Sequence, residues 1–152
     1  MNAAHLHLVL NHIPVLGAII SFVLVLAILV KKDPGLKSLA LWWFVLIGAL
    51  GAVVYLTGEP AEESVEHLSW FQENFVERHE DTALWALIVT EVLALMGVFG
   101  LYLQKKKHTT PVSFWRVAIV VAGINLALMG WTANLGGQIR HTEIRDTQPG
   151  QH

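Results

Sequence analysis

The sequence predicts an all-α integral membrane four-helix bundle, with both termini outside and an amphipathic outer-interface helix between helices 2 and 3. Three observations carry that prediction. Hydrophobic residues fill 54% of 152 positions and only 14% are charged, against about 25% charged in a soluble domain. Four apolar runs, about Leu8 to Val30, Leu39 to Leu56, Thr82 to Leu103 and Val112 to Ala133, come near the roughly 20 residues that a spanning helix needs. Lys31, Lys32, Lys37, Lys105, Lys106 and Lys107 all fall in the two short links between runs one and two and runs three and four. Positive links mark the cytoplasmic side. The functional face is therefore expected outside, on the periplasmic side of a bacterial inner membrane.

Taken in order, the first run has its basic residues, Lys31 and Lys32, after the apolar core. A signal peptide carries them before it, so this run reads as a retained helix with its N-terminus outside. Lys31-Lys32-Asp33-Pro34-Gly35 is short enough to join antiparallel neighbours. Past the breaker Thr57-Gly58-Glu59-Pro60, Ala61, Val65, Leu68, Phe71, Phe75 and Val76 recur at three- and four-residue steps among glutamates. That periodicity predicts an amphipathic helix over 61–80, bending near Ser69-Trp70 or Asn74. The second link ends in Thr110-Pro111, a candidate cap and first-turn proline for the fourth helix. Residues 1–141 read as one membrane domain and 142–152 as a polar tail.

Seven of the eight histidines, all but His108, lie at the ends away from the lysines. Asn11, His12 and Pro14 fall inside the first apolar run, and His5 lies seven residues before His12 on the same helical face. Polar groups at such depth usually face a bundle interior; a histidine bonded to a headgroup or backbone carbonyl also accounts for His5 and His7. His79 opens the third run, with Ala83 and Ala86 one and two turns on. His67 shares a face with Glu63, the spacing of an exposed ion pair. Gly123, Gly130 and Gly137 form a seven-residue lane on the fourth run, which suits either close helix packing or a cofactor groove. His141 reaches this end only if the helix passes Gly136-Gly137, which can also end it. Glu91 lies near the bilayer centre, where a charged carboxylate is costly. Asn125, at matching depth, is its expected partner, and Glu80, eleven residues before Glu91 on one face, is the outer end of a partial proton path.

The strings His5-Leu6-His7, Asn11-His12-Ile13-Pro14, Thr57-Gly58-Glu59-Pro60-Ala61-Glu62-Glu63, His79-Glu80 and Gly136-Gly137 resemble those of small bacterial four-helix membrane proteins carrying a domain of unknown function. The resemblance implies a four-helix topology and an outward site. It implies no activity.

Several histidines, no cysteine and a membrane bundle suit a b-type haem, which imidazoles on facing helices can hold without a covalent bond. His12 and His79 are the first-choice axial ligands to the iron, with His5 or His141 as substitutes. Arg78 and Arg140 are candidates for the propionates, and the lane through Gly130 and Gly137 could flank the ring. The expected function is electron transfer near the outer face, as a cytochrome b-like carrier or a subunit of a redox complex, with quinone, a protein partner or a second copy as partners alongside membrane lipid. Two other classes stay open. His12, Glu59, His79, Glu80 and His141 could converge on zinc, iron or copper, and Trp42, Trp43, Phe44 and Trp115 could be lipid-facing aromatics that dock a cofactor-free accessory subunit on a respiratory complex. The absence of cysteine excludes disulfides, thiolate ligands and cysteine-held iron–sulfur clusters, and there is no Cys-x-x-Cys-His for c-type haem. No nucleophile motif, phosphate loop or dinucleotide fingerprint marks an enzyme. The net charge of −2 and its segregation argue against nucleic acid.

Overall fold

A computed structural model describes residues 2–31, 33–106, 108–141 and Arg145. The described residues form helices and turns and no strand. The helices are α1 (Ala3–Leu10), α2 (His12–Lys31), α3 (Pro34–Leu56), α4 (Gly58–Glu63), α5 (Glu73–Lys105) and α6 (Val112–Arg140). By length and composition, four segments are able to cross a membrane: α1 with α2, α3 with α4, α5 and α6. Short links make successive long helices antiparallel, and α2, α3, α5 and α6 close a ring in which each packs on two neighbours. The short helices α1 and α4 pack on each other at one end.

Local chemistry explains most boundaries. Asn2 caps α1 by accepting from the His5 amide at 2.9 Å. The break at Asn11 follows from Pro14, which has no N–H for the Leu10 carbonyl and whose ring crowds it. Asp33 accepts from the Leu36 amide at 3.0 Å, with Pro34 in the first turn of α3. At the other link Pro111 is the N-cap of α6, while Thr110 is buried and its hydroxyl accepts from the Trp115 indole at 2.9 Å. Thr110 therefore holds a tryptophan instead of capping the helix as expected.

The segment 61–80 differs from the continuous helix its periodicity suggests. Helix α4 stops at Glu63, where the Ser64 hydroxyl donates back to Ala61 O at 2.7 Å. Turns closed by Val65 to Glu62, Leu68 to Val65 and Phe71 to Leu68 lead to α5. Helix α5 starts at Glu73, nine residues before the third apolar run. Its 33 residues span about 50 Å at 1.5 Å each, longer than the roughly 30 Å hydrocarbon layer. Helix α6 also outruns its apolar stretch, passing Gly136-Gly137 to Arg140. Arg145 donates to Gln138 O and Ile139 O, both at 2.7 Å, and stacks on Phe75 of α5, so terminal carbonyls of α6 are satisfied and tied to its neighbour.

Small residues set how closely the helices approach. The Ile47 side chain fills the space beside Gly17, Leu41 packs against Gly97 and Gly100, and Ala94 lies opposite Gly48. Close packing thus accounts for the glycine pairs inside α3 and α5. Of the four aromatics expected to face lipid, Phe44 and Trp115 are 0% and 1% exposed and belong to the core, and Trp43 is half-buried; Trp42, at 63%, is exposed. The Trp43 indole donates to Ser21 Oγ at 3.1 Å and Gly17 O at 3.3 Å, joining α3 to α2. Trp43→Phe is expected to lower stability by about 0.6 kcal/mol, the mean for hydrogen bonds between membrane helices. Reversible unfolding in mixed micelles measures it. Exposed Tyr55, Trp85 and Trp131 mark one level of the bundle, and Trp42 and Tyr102 lie toward the lysine links, as aromatic side chains do at two membrane interfaces.

Candidate functional site

At the end of the bundle opposite the lysine links, the chain brings two imidazoles together. One is His7 on α1, where α1 packs on α4; the other is His79 on α5, against α6. They are near enough to act on each other electrostatically.

The hydrogen bonds decide the tautomer of both rings. His79 Nδ1 is 3.0 Å from Thr132 O; a carbonyl only accepts, so Nδ1 carries the hydrogen. His7 Nδ1 is 2.8 Å from Thr57 Oγ1. That hydroxyl already donates to Val54 O at 2.6 Å, so it accepts from His7. Each neutral ring is left with a bare Nε2 lone pair. Among the described residues, no hydrogen bond reaches either Nε2.

Glycines seat the rings. A Cβ on Gly136 would lie 3.1 Å from His79 Cε1 and 3.3 Å from its Nδ1, and one on Gly58 would lie 3.9 Å from His7 Cε1. The imidazole of His79 therefore rests on the α6 backbone, where any larger residue would displace it. Beside the pair, Glu80 acts electrostatically on His79 and on Glu62 of α4.

His12, the expected partner of His79, is exposed, and its Nδ1 bonds Leu8 O at 3.0 Å, one turn back on its own side of the chain. His5 and His67 are exposed. His141 is the exposed C-cap residue of α6, its amide donating to Gly137 O at 2.9 Å. Arg78 is exposed, and the Arg140 guanidinium lies 4.9 Å from the Trp70 ring centroid. The glycine lane does not flank the pair as a groove: a Cβ on Gly130 would meet nothing within 4 Å, one on Gly123 would meet Phe22, and it is Gly136, one position off the lane, that touches His79. Asn125 does not reach Glu91. It pairs instead with Thr90 Oγ1 at 3.0 Å, whose single hydroxyl proton is shared between Asn125 Oδ1 and Ala86 O. Between Glu80 and Glu91 lie Leu84, exposed, and Leu87, which packs on Gly51, so the two carboxyls are separated by apolar side chains. Among the described residues, no three His, Asp or Glu side chains gather as a metal site. His152 lies outside the described residues.

Sequence reasoning missed Thr57, Thr132 and Gly136 as supports and ranked His7 below His12. One signal pointed to His7: Pro14 breaks the helix near Leu10, so a helical face drawn from His12 cannot be extended to α1. The chain matches no family model, no curated protein and no solved structure, so the resemblance carried by its motifs finds no counterpart there and its chemistry is read from its own residues.

Proposed function

We propose that this protein is a membrane electron carrier, alone or as a subunit of a redox complex, that holds a haem b through His7 and His79. The observation that carries the reading is the pair of Nδ1-anchored imidazoles with bare Nε2 atoms at one end of the bundle. Metal-bound histidines almost always donate their other ring N–H to a fixed acceptor, which sets the tautomer and raises ligand basicity. Two such donors fit the axial positions of a b-type haem.

When bound, the haem supplies one-electron chemistry. The chain supplies the rest. Thr57 and Thr132 orient the ligand rings, and Gly58 and Gly136 leave space beside them. Arg140, held over Trp70, and Arg78 offer guanidinium groups to propionates. Glu62 and Glu80 place carboxyls beside His79. The lysine-rich links support an orientation with this end outside, on the periplasmic face of a bacterial inner membrane, where quinone, a periplasmic protein or a second copy can exchange electrons.

Oxidised and dithionite-reduced absorption spectra of the protein, purified in mild detergent from cells supplied with haem precursor, test the proposal. The expected result is a Soret band with sharp reduced α and β bands. Stoichiometric zinc, iron or copper without a Soret band assigns the pair to a non-haem metal, and a folded, colourless, metal-free protein overturns the cofactor reading in favour of an accessory subunit.

A further inference from the structure

Inside the bundle, on α5, lies a carboxyl with an oxygen that has no hydrogen-bond partner among the described residues. That oxygen, Glu91 Oε1, is buried. The residue lies between exposed Trp85 and Tyr102, about 9 Å and about 16 Å away along the helix axis at 1.5 Å per residue. That is hydrocarbon depth.

Its surroundings are bare of donors. Helix α3 faces it with Gly48, where a Cβ would lie 3.3 Å from Oε2 and 3.6 Å from Oε1; the amides of that stretch are consumed in the α3 ladder. On the α6 side, Asn125 and Thr90 are bonded to each other. No other titratable side chain shares its depth: none lies between His12 and Lys31 on α2, between Lys37 and Tyr55 on α3, between Arg116 and Arg140 on α6, or elsewhere between Asp81 and Tyr102 on α5. An unpaired carboxylate in such a medium is far costlier than the neutral acid. The side chain is half-buried and flanked by exposed Ile88 and Val92, so the seam between α3 and α5 opens toward lipid. Leu84 and Leu87 separate it from Glu80 and the polar end.

We propose that Glu91 is an intramembrane proton-binding site: an unpartnered carboxyl in the α3–α5 seam, reached from the lipid and not from water. This site is independent of the histidine pair and of whatever that pair binds.

Lipid-soluble carbodiimides react with such acids. The carboxyl proton moves to one carbodiimide nitrogen, the carboxyl oxygen adds to the central carbon, and the O-acylisourea rearranges by acyl shift to a stable N-acylurea, with no oxidant or reductant. The full chain in lipid vesicles would be treated with dicyclohexylcarbodiimide or, separately, with a water-soluble carbodiimide, and the adducts mapped by peptide mass spectrometry. The expected result is one adduct at Glu91 from the lipid-soluble reagent alone, absent in Glu91→Gln, together with an infrared band of a protonated carboxyl that Glu91→Gln removes. Labelling of Glu91 by the water-soluble reagent at a comparable rate, or no labelling by the lipid-soluble one, overturns the proposal.

Discussion

Alanine at His7 or at His79 is expected to abolish the six-coordinate haem spectrum, whereas His12→Ala leaves it unchanged. Each of the two rings is fixed through Nδ1 by a hydrogen-bond acceptor. Thr132 O holds His79 at 3.0 Å and Thr57 Oγ1, with its own proton on Val54 O, holds His7 at 2.8 Å. His12 instead bonds Leu8 O and is exposed. Thr57→Val removes the acceptor while keeping the shape, and by the usual effect of losing a ligand's outer partner should weaken haem binding about 10- to 100-fold. Reduced-minus-oxidised spectra and haem titration of each variant, with helical content checked by circular dichroism, measure all four. Loss of the spectrum in His12→Ala with its retention in His7→Ala would return the ligand role to His12 and sink the assignment made here.

The second large effect concerns packing. Gly97→Ala is expected to destabilise the bundle by about 1–3 kcal/mol, the range for overpacking a filled core. Its Cβ would lie 2.7 Å from Leu41 O and 3.0 Å from Phe44 Cβ; a backbone oxygen inside a helix cannot step aside, so α3 and α5 must separate. Gly130→Ala is the matched control on α6. Nothing lies within 4 Å of its Cβ, so the change should be neutral or stabilising by up to about 1 kcal/mol through helix propensity. Reversible unfolding in mixed micelles compares the two. Equal effects would show that close approach at Gly97 contributes nothing special.

Much of the fold was legible because it depends on properties that a segment carries by itself. Four apolar stretches long enough to cross a membrane follow from hydropathy, and the short lysine links follow from spacing. The ends were less legible. Apolar windows stop where polar residues begin, yet α5 starts at Glu73 and α6 continues to Arg140, because packing and Arg145 support helix beyond the hydrophobic stretch. The 61–80 segment misled for the opposite reason. Its periodicity suits a helix, but Ser64 diverts a carbonyl at the end of α4 and the chain proceeds through turns.

The site was half legible. Composition pointed to histidines at one end of the bundle, and His79 is one of the two imidazoles that meet there. The imidazole that acts on His79 is His7, and Pro14 breaks the face on which His5 and His12 were aligned. Depth counting likewise put Asn125 at the level of Glu91, while the structure gives it Thr90, one residue and about 100° around the helix. Composition, length and charge segregation belong to the sequence, and they determined four helices long and apolar enough to cross a membrane, with lysines and most histidines at opposite ends. Which side chains meet is a matter of how each helix is rotated about its axis, and only tertiary packing, through glycine contacts and a proline break, decided that.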